Sequence, residues 1–220
     1  MLVAGATGGL GSAIARRLDA LDARLTLVAR DEARLRDLAI EGAVTASLDL
    51  RDPAACDEAV EIADRHGPGL DVVVDAVGVV AFGGIDELDA DTMEELFLTN
   101  TFVPIMLARA ALPRLRPGGA IVNISGVIAE RNLPGMAAYG ASKAAVRAFD
   151  EALAREARRR KVRVIDARPP HTETGLADRP IAGAAPALGD GLDPDAVARV
   201  IVDALAGDAT DLPSAAFTAS

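Results

Sequence analysis

The chain has 220 residues, half of them hydrophobic and a quarter charged, enough for one well-buried domain and short for two. A formal charge of −10 and an aromatic content of 3% argue against the clustered cations and stacking rings that nucleic acid requires, so no nucleic-acid partner is expected. Cys56 is the only cysteine, which excludes an intrachain disulfide and a cysteine-built metal site and leaves it as a small buried residue.

The first apolar run, 2–4, reads as a strand and passes directly into AGATGGLGSAIARRL (4–18), a glycine turn followed by a helical pattern. Without a Cβ the chain turns tightly and lets backbone N–H groups and a helix N-terminus approach a pyrophosphate. Gly5, Gly9 and Gly11 follow a G-x-x-x-G-x-G spacing, unlike the G-x-G-x-x-G of the common dinucleotide fingerprint. A tight turn with no ligand is the plain alternative, and the position after the first strand favours nucleotide binding.

The second strand, 25–29, closes on Ala29-Arg30-Asp31, where such a fold meets the adenosine ribose. An acid there accepts from both ribose hydroxyls, whereas Arg pairs with a 2′-phosphate, so Arg30 predicts NADP(H) in preference to NAD(H). Asp31 reads as the cap of the next helix. After the third strand, 44–48, Asp49 either accepts from the adenine amino group or is a turn residue ahead of Asp52. Asp52-Pro53 and Asp193-Pro194 mark helix starts, because Asp caps free N–H groups and Pro fits the first turn.

Further strands are read at 72–74, 120–124 and 162–167, with one more short strand within 212–220. Continuous apolar strands separated by helical stretches suggest burial on both faces, hence an α/β, doubly wound parallel sheet flanked by helices. No repeat or linker divides the chain, and 1–220 is read as one dinucleotide-binding and catalytic domain. Residues 168–194, rich in Pro, Gly and Ala, read as a functional loop. No apolar run reaches the roughly 20 residues of a membrane span and no leader is read ahead of the first motif, so a cytoplasmic protein without a membrane partner is expected.

NISGVIAERNLPGMAAYGASK (123–143) holds Tyr139 and Lys143 four apart, hence on one helix face. A nearby ammonium favours the phenolate, which brings a Tyr into use as an acid or base closer to neutral pH. Lysine occurs only at 143 and 161, so Lys143 is not background in an Arg-rich chain.

The glycine turn, Arg30, Asp49, DVVVDAVG (71–78), Asn100 and Tyr139-Gly-Ala-Ser-Lys143 stand in an order that resembles the short-chain dehydrogenase/reductase family over essentially the whole chain. The resemblance implies a Rossmann-type fold, with Tyr139 exchanging a proton with the substrate oxygen as hydride moves between nicotinamide and carbon. Lys143 then also holds the nicotinamide ribose, and Asn100 supports the proton path, unless it is a mid-helix Asn tying down backbone groups. Cofactor contacts are implied for Gly5, Thr7, Gly9, Leu10, Gly11, Arg30, Asp49, Leu50, Ala76, Gly78, Tyr139, Lys143, Pro169, Thr172 and Thr174. Pairing of copies into a homodimer or homotetramer, through 99–115 and 139–159, is implied as well.

The chain departs from that pattern in several places. Ala4 stands for Thr in the glycine turn, Asp75-Ala76-Val77-Gly78 for Asn-Asn-Ala-Gly, and Pro169-Pro170 for Pro-Gly. Asp75 can replace a structural amide by accepting backbone N–H bonds, while Val77 narrows the cofactor channel and Pro170 stiffens its turn. Gly8 also permits a G-x-x-G-x-x-G reading, that of longer sugar-nucleotide relatives. Above all, the family's catalytic Ser lies thirteen before its Tyr, and here that residue is Gly126; Ser125 is one short. Adjacent strand side chains face opposite ways, so Ser125 serves only if the strand end bulges or unwinds. His171 is a second candidate donor.

The leading expectation is an NADP(H)-dependent enzyme, NAD(H) remaining possible, that interconverts a carbonyl and an alcohol on a small, apolar substrate. A cofactor-binding protein of low turnover, acting as redox sensor or partner subunit, and an epimerase or dehydratase are the alternatives.

Overall fold

Seven strands form one all-parallel sheet in the computed structural model, which describes residues 1–218. They are β1 (Leu2–Ala4), β2 (Thr26–Ala29), β3 (Val44–Ser47), β4 (Leu70–Asp75), β5 (Leu115–Ile124), β6 (Arg163–Ala167) and β7 (Asp211–Leu212), in the spatial order β3-β2-β1-β4-β5-β6-β7. The winding reverses between β1 and β4, which opens a crevice beyond the carboxyl ends of the strands. The helices are α1 (Gly9–Asp19), α2 (Glu32–Asp37), α3 (Pro53–Arg65), α4 (Ala90–Phe97), α5 (Val103–Ala111), α6 (Ala137–Ala157) and α7 (Pro194–Ala206), with a π-helical turn, Leu98–Phe102, joining α4 to α5.

Successive strand residues go to opposite faces. Val3, Leu27, Val74, Val122 and Ile165 pack with Ile14 and Leu18 of α1 and Val197 and Ile201 of α7. Leu2, Val28, Val73, Ile121 and Val164 pack with Cys56 and Val60 of α3, Leu107 of α5 and Leu153 of α6. Each such side chain contributes about 1.5–3 kcal/mol on burial, which is why the central strands are largely apolar, whereas the edge strand β3 alternates between half-buried and exposed residues.

The expected caps are present: Asp31, Asp52 and Asp193 accept from the N–H groups of Arg34, Ala54 and Asp195. Asp89, not singled out from the sequence, caps α4 through Thr92 N–H. β5 begins five residues earlier than expected, because Leu115 pairs with Leu70 across a register irregularity that the intervening Pro117-Gly118-Gly119 disguises. The strand expected within 212–220 is only Asp211–Leu212. Pro213 has no N–H to extend the ladder, and Ser214–Phe217 turns instead, sending Phe217 into the core. Ala219 and Ser220, part of that expectation, lie outside the described residues.

Residues 168–194 form no strand or helix before α7 starts at Pro194, but the segment is fastened at two isolated bridges, Thr172 with Leu192 and Ala182 with Ala81. No helix among the described residues is long and apolar enough to cross a membrane.

Candidate active site

A cleft of about 390 Å³ runs over the carboxyl ends of the central strands and is lined by every residue predicted to touch a cofactor. At one end lies the glycine turn. Gly5 has φ +72°, and a Cβ on it would stand 2.7 Å from the Ala76 backbone; a Cβ on Gly11 would stand 2.2 Å from Gly5 O. Only glycine permits this closeness. The turn delivers the chain into α1 with no side-chain cap and no acid in the first turn, which leaves the N–H groups and positive end of the helix to an anion. A diphosphate fits this cradle.

Arg30 is exposed just beyond β2, at the adenosine end of the cleft. Arg34 joins it there, donating from Nη2 to Thr7 O at 2.6 Å. Sequence reading missed Arg34, although it lies one helical turn beyond Arg30 and on the same side of a capped helix start. Asp49 lines the cleft next to Leu50 and is paired with Arg51. Its two oxygens accept from Arg51, from Nε at 2.9 Å and from Nη2 at 2.5 Å, and these donors hold the carboxyl below its ordinary range. Its carbonyl accepts from Asp52 N–H, the turn role that was the alternative. Leu50 is buried beside it, its carbonyl accepting from Cys56 Sγ.

At the end of β4, Asp75 Oδ1 accepts from Val77 N–H at 3.0 Å and so does the work of the amide it replaces. Burial pushes its carboxyl up to about 6, against the pull of that bond and of Lys143. Gly78 is pressed close: a Cβ there would lie 3.3 Å from Asn100 Oδ1 and 3.5 Å from Lys143 Nζ. Asn100, in the π-helical turn, accepts from Val79 N–H and donates to Val79 O, both at 2.9 Å, and to Ser142 Oγ at 3.0 Å. Its amide thus ties the 78–79 segment to α6, near Tyr139 and Lys143.

Tyr139 and Lys143 sit one turn apart on α6 and both line the cleft. Lys143 Nζ donates to Ile124 O at 2.7 Å. Burial lowers the Lys143 ammonium, opposed by the charges of Asp75 and Asp166. The expected drop of the Tyr139 phenol is not found: burial pushes it up to about 12. Val80, Ile128 and Met136 around the ring desolvate the phenolate, while the ammonium is turned to a carbonyl rather than to the phenol.

The strand end at 125–126 does bulge, since Ser125 and Gly126 N–H both donate to Ala167 O, at 3.0 and 3.2 Å. Ser125 borders the cleft but is fully buried, its hydroxyl donating to Asp166 on the α6 face of the sheet. Gly126 has φ +81°, and only Pro169 O, at 4.0 Å, lies near the place a Cβ would take. Asp166 is held in turn by Arg168, a buried guanidinium that also pairs with Glu130 at 2.6 Å and Asp211 at 2.7 Å. Glu130 further accepts from Ser214 Oγ at 2.6 Å. This ionic cluster, unread in the sequence, fastens the turn that leads into α6 to the last strands.

The other half of the cleft has an apolar wall of Val80, Phe82, Ile128, Met136 and Leu176 beside Tyr139. His171 borders the cleft with Nε2 3.5 Å from Glu173 Oε1, and Gly191 N–H donates to the same carboxylate. Pro169, Thr172 and Thr174 line the near side; the Thr172 hydroxyl donates to Pro170 O, and Thr174 N–H donates to Thr172 O.

A cofactor cradle at a topological switch point, with a Tyr/Lys pair opposite, defines a class that comparison with known proteins identifies. The family model described as short chain dehydrogenase matches residues 1–182, and the chain belongs to the short-chain dehydrogenase/reductase family of oxidoreductases. Dehydrogenase/reductase SDR family member 7B of Danio rerio is 31% identical over 227 residues, covering 93% of this chain and 73% of that protein. The cyclic-di-GMP-binding biofilm dispersal mediator protein of Escherichia coli is 33% identical over 186 residues, 82% of this chain and 77% of that protein. A Burkholderia cenocepacia short chain dehydrogenase solved in complex with NADP superposes with a TM-score of 0.86 at 28% identity, over 98% of this chain and 96% of that one.

Proposed function

We propose that this chain is an NADP(H)-dependent reductase or dehydrogenase that interconverts a carbonyl and an alcohol on a small, largely apolar substrate. Residues 1–220 act as one catalytic unit, with 168–194 as its substrate loop. The observation that carries the reading is the Tyr139–Lys143 pair facing an apolar wall in a cleft whose far end is the glycine cradle flanked by Arg30 and Arg34. The NADP complex of the Burkholderia relative supports the choice of cofactor.

Bound NADP(H) supplies or accepts the hydride. Gly5, Thr7, Gly9, Leu10 and Gly11 hold its diphosphate, Arg30 and Arg34 its 2′-phosphate, and Leu50, Ala76 and Gly78 border the adenosine half. Pro169, Thr172 and Thr174 flank the nicotinamide half. Tyr139, raised to about 12, carries its proton through neutral pH and gives it to the carbonyl oxygen in reduction. Lys143 steadies the charge that this transfer leaves on the phenol, and Asn100 holds the 78–79 backbone against α6 so that the pair keeps its place. Ser125 fixes the strand end and makes no substrate contact. Copies pair through 99–115 and 139–159, a reading supported by the exposed Phe102 on that run.

The test is to measure NADPH and NADH binding and then turnover of a carbonyl panel by wild type, Tyr139→Phe and Gly126→Ser. NADPH binding with no turnover, unrelieved by Gly126→Ser, rejects the reductase. That outcome favours a second reading, a cofactor-binding protein of low turnover. The absence of a side chain at Gly126, the diverted Ser125 and the name of the Escherichia coli relative support it.

A further inference from the structure

The substrate loop carries one guanidinium that no carboxylate claims. Arg179 takes part in none of the ion pairs among the described residues. Its side chain makes one hydrogen bond, from Nε to Gly175 O at 2.9 Å, and it lines the cleft. The carboxylate of Asp178, on the same turn, lies near Gly175 without reaching ion-pair distance of it.

That single bond decides where the charge stands. Gly175 follows Thr174, and Thr174 lies directly on the glycine turn: a Cβ at Gly9 would come within 2.7 Å of Thr174 Cα. The guanidinium is therefore held beside the segment that covers the diphosphate cradle, with its terminal nitrogens uncommitted. From below, the uncapped start of α1 presents N–H groups to an anion. Other fixed cations are placed elsewhere or already neutralised. Arg30 and Arg34 stand at the adenosine end, and Arg51 is paired with Asp49 and Glu95.

We propose that Arg179 binds the nicotinamide-side phosphate of the cofactor's diphosphate, so that closing the loop and binding the cofactor are one event. The inference rests on the cofactor reading above. It gives the loop a part in cofactor affinity as well as in shaping the substrate pocket, and it explains why a cation sits on a loop whose other charges are acidic or shared with an acid.

Fluorescence titration of wild type, Arg179→Gln and Arg179→Lys with NADPH and with adenosine 2′,5′-bisphosphate, which lacks the nicotinamide-side phosphate, tests it. Arg179→Gln is expected to weaken NADPH on the order of tenfold and to leave the bisphosphate unchanged, because a charge-assisted bond to one phosphate is lost. Arg179→Lys recovers part of the loss, and hydrogen exchange shows NADPH protecting the 172–182 amides in wild type but less in Arg179→Gln. Unchanged NADPH affinity in Arg179→Gln, or equal weakening of both ligands, overturns the proposal while leaving the cofactor reading intact. A wild type that binds neither ligand removes both.

Discussion

Ser125, at the border of the cleft, gives its hydroxyl to Asp166, and the residue after it, which faces open space, has no side chain to offer. The two neighbours therefore separate under mutation. Ser125→Ala removes a buried hydrogen bond and is expected to cost about 1–2 kcal/mol in chemical denaturation while changing kcat/KM by less than about threefold. Gly126→Ser is expected to cost about 1 kcal/mol because of its positive φ, yet to raise kcat/KM for carbonyl reduction by on the order of tenfold as a donor enters the cleft. A large loss of turnover in Ser125→Ala refutes this division.

Tyr139→Phe is expected to lower kcat by at least about 10²-fold, with NADPH affinity unchanged, since the hydroxyl moves a proton and holds no phosphate. The raised phenol sets the pH dependence. Reduction needs the protonated form, so its rate is flat through neutral pH and falls only toward about 12. Oxidation needs the phenolate and so climbs with pH over the same range. Rate profiles in both directions check the assignment.

Arg30 and Arg34 predict cofactor choice. Arg34→Ala removes the bond to Thr7 O and a cation from the adenosine end, and is expected to weaken NADPH on the order of tenfold while leaving NADH nearly unaffected. Equal affinity of the wild type for the two cofactors rejects the role given to this pair.

Asp150, buried in α6, accepts from Asn123 Nδ2 at 2.6 Å, but its second oxygen has no partner among the described residues. Burial pushes the carboxyl up to about 8. A folded value above the unfolded one, near 3.9, means that the contribution to stability is present below about pH 4 and is lost as pH rises toward 8. Asp75, at about 6, adds to the lower part of that window. Asp150→Asn is expected to raise stability at pH 7 by about 1–3 kcal/mol and to flatten the pH dependence, measured by thermal melts from pH 4 to 8.

The sheet was legible because its central strands are largely apolar and three helices start at a marked Asp31, Asp52 or Asp193; residues 2–4 and 26–29 needed no tertiary knowledge. The glycine turn and Tyr139-x-x-x-Lys143 were legible because their spacing is local. What stayed hidden depends on contacts distant in sequence. Arg168 reads as a polar residue at a strand end until Glu130, Asp166 and Asp211 converge on it. The phenol of Tyr139 rises instead of falling because its apolar neighbours come from three separate loops, a desolvation no spacing rule contains.

The bridge at Ala81–Ala182 fastens the covering segment to the chain beyond β4, and the bridge at Thr172–Leu192 draws the two ends of the segment together. Phe82 N–H, Ile181 N–H, Glu173 N–H and Leu192 N–H are all committed to it, with bonds of 2.8–3.0 Å. Lifting the segment away from 80–82 requires the Phe82 and Ile181 bonds to part, which is a local melting event rather than a swing of side chains. Substitutions in 80–82 that weaken this short ladder are therefore expected to loosen the segment, read as faster hydrogen exchange at the Phe82 and Ile181 amides.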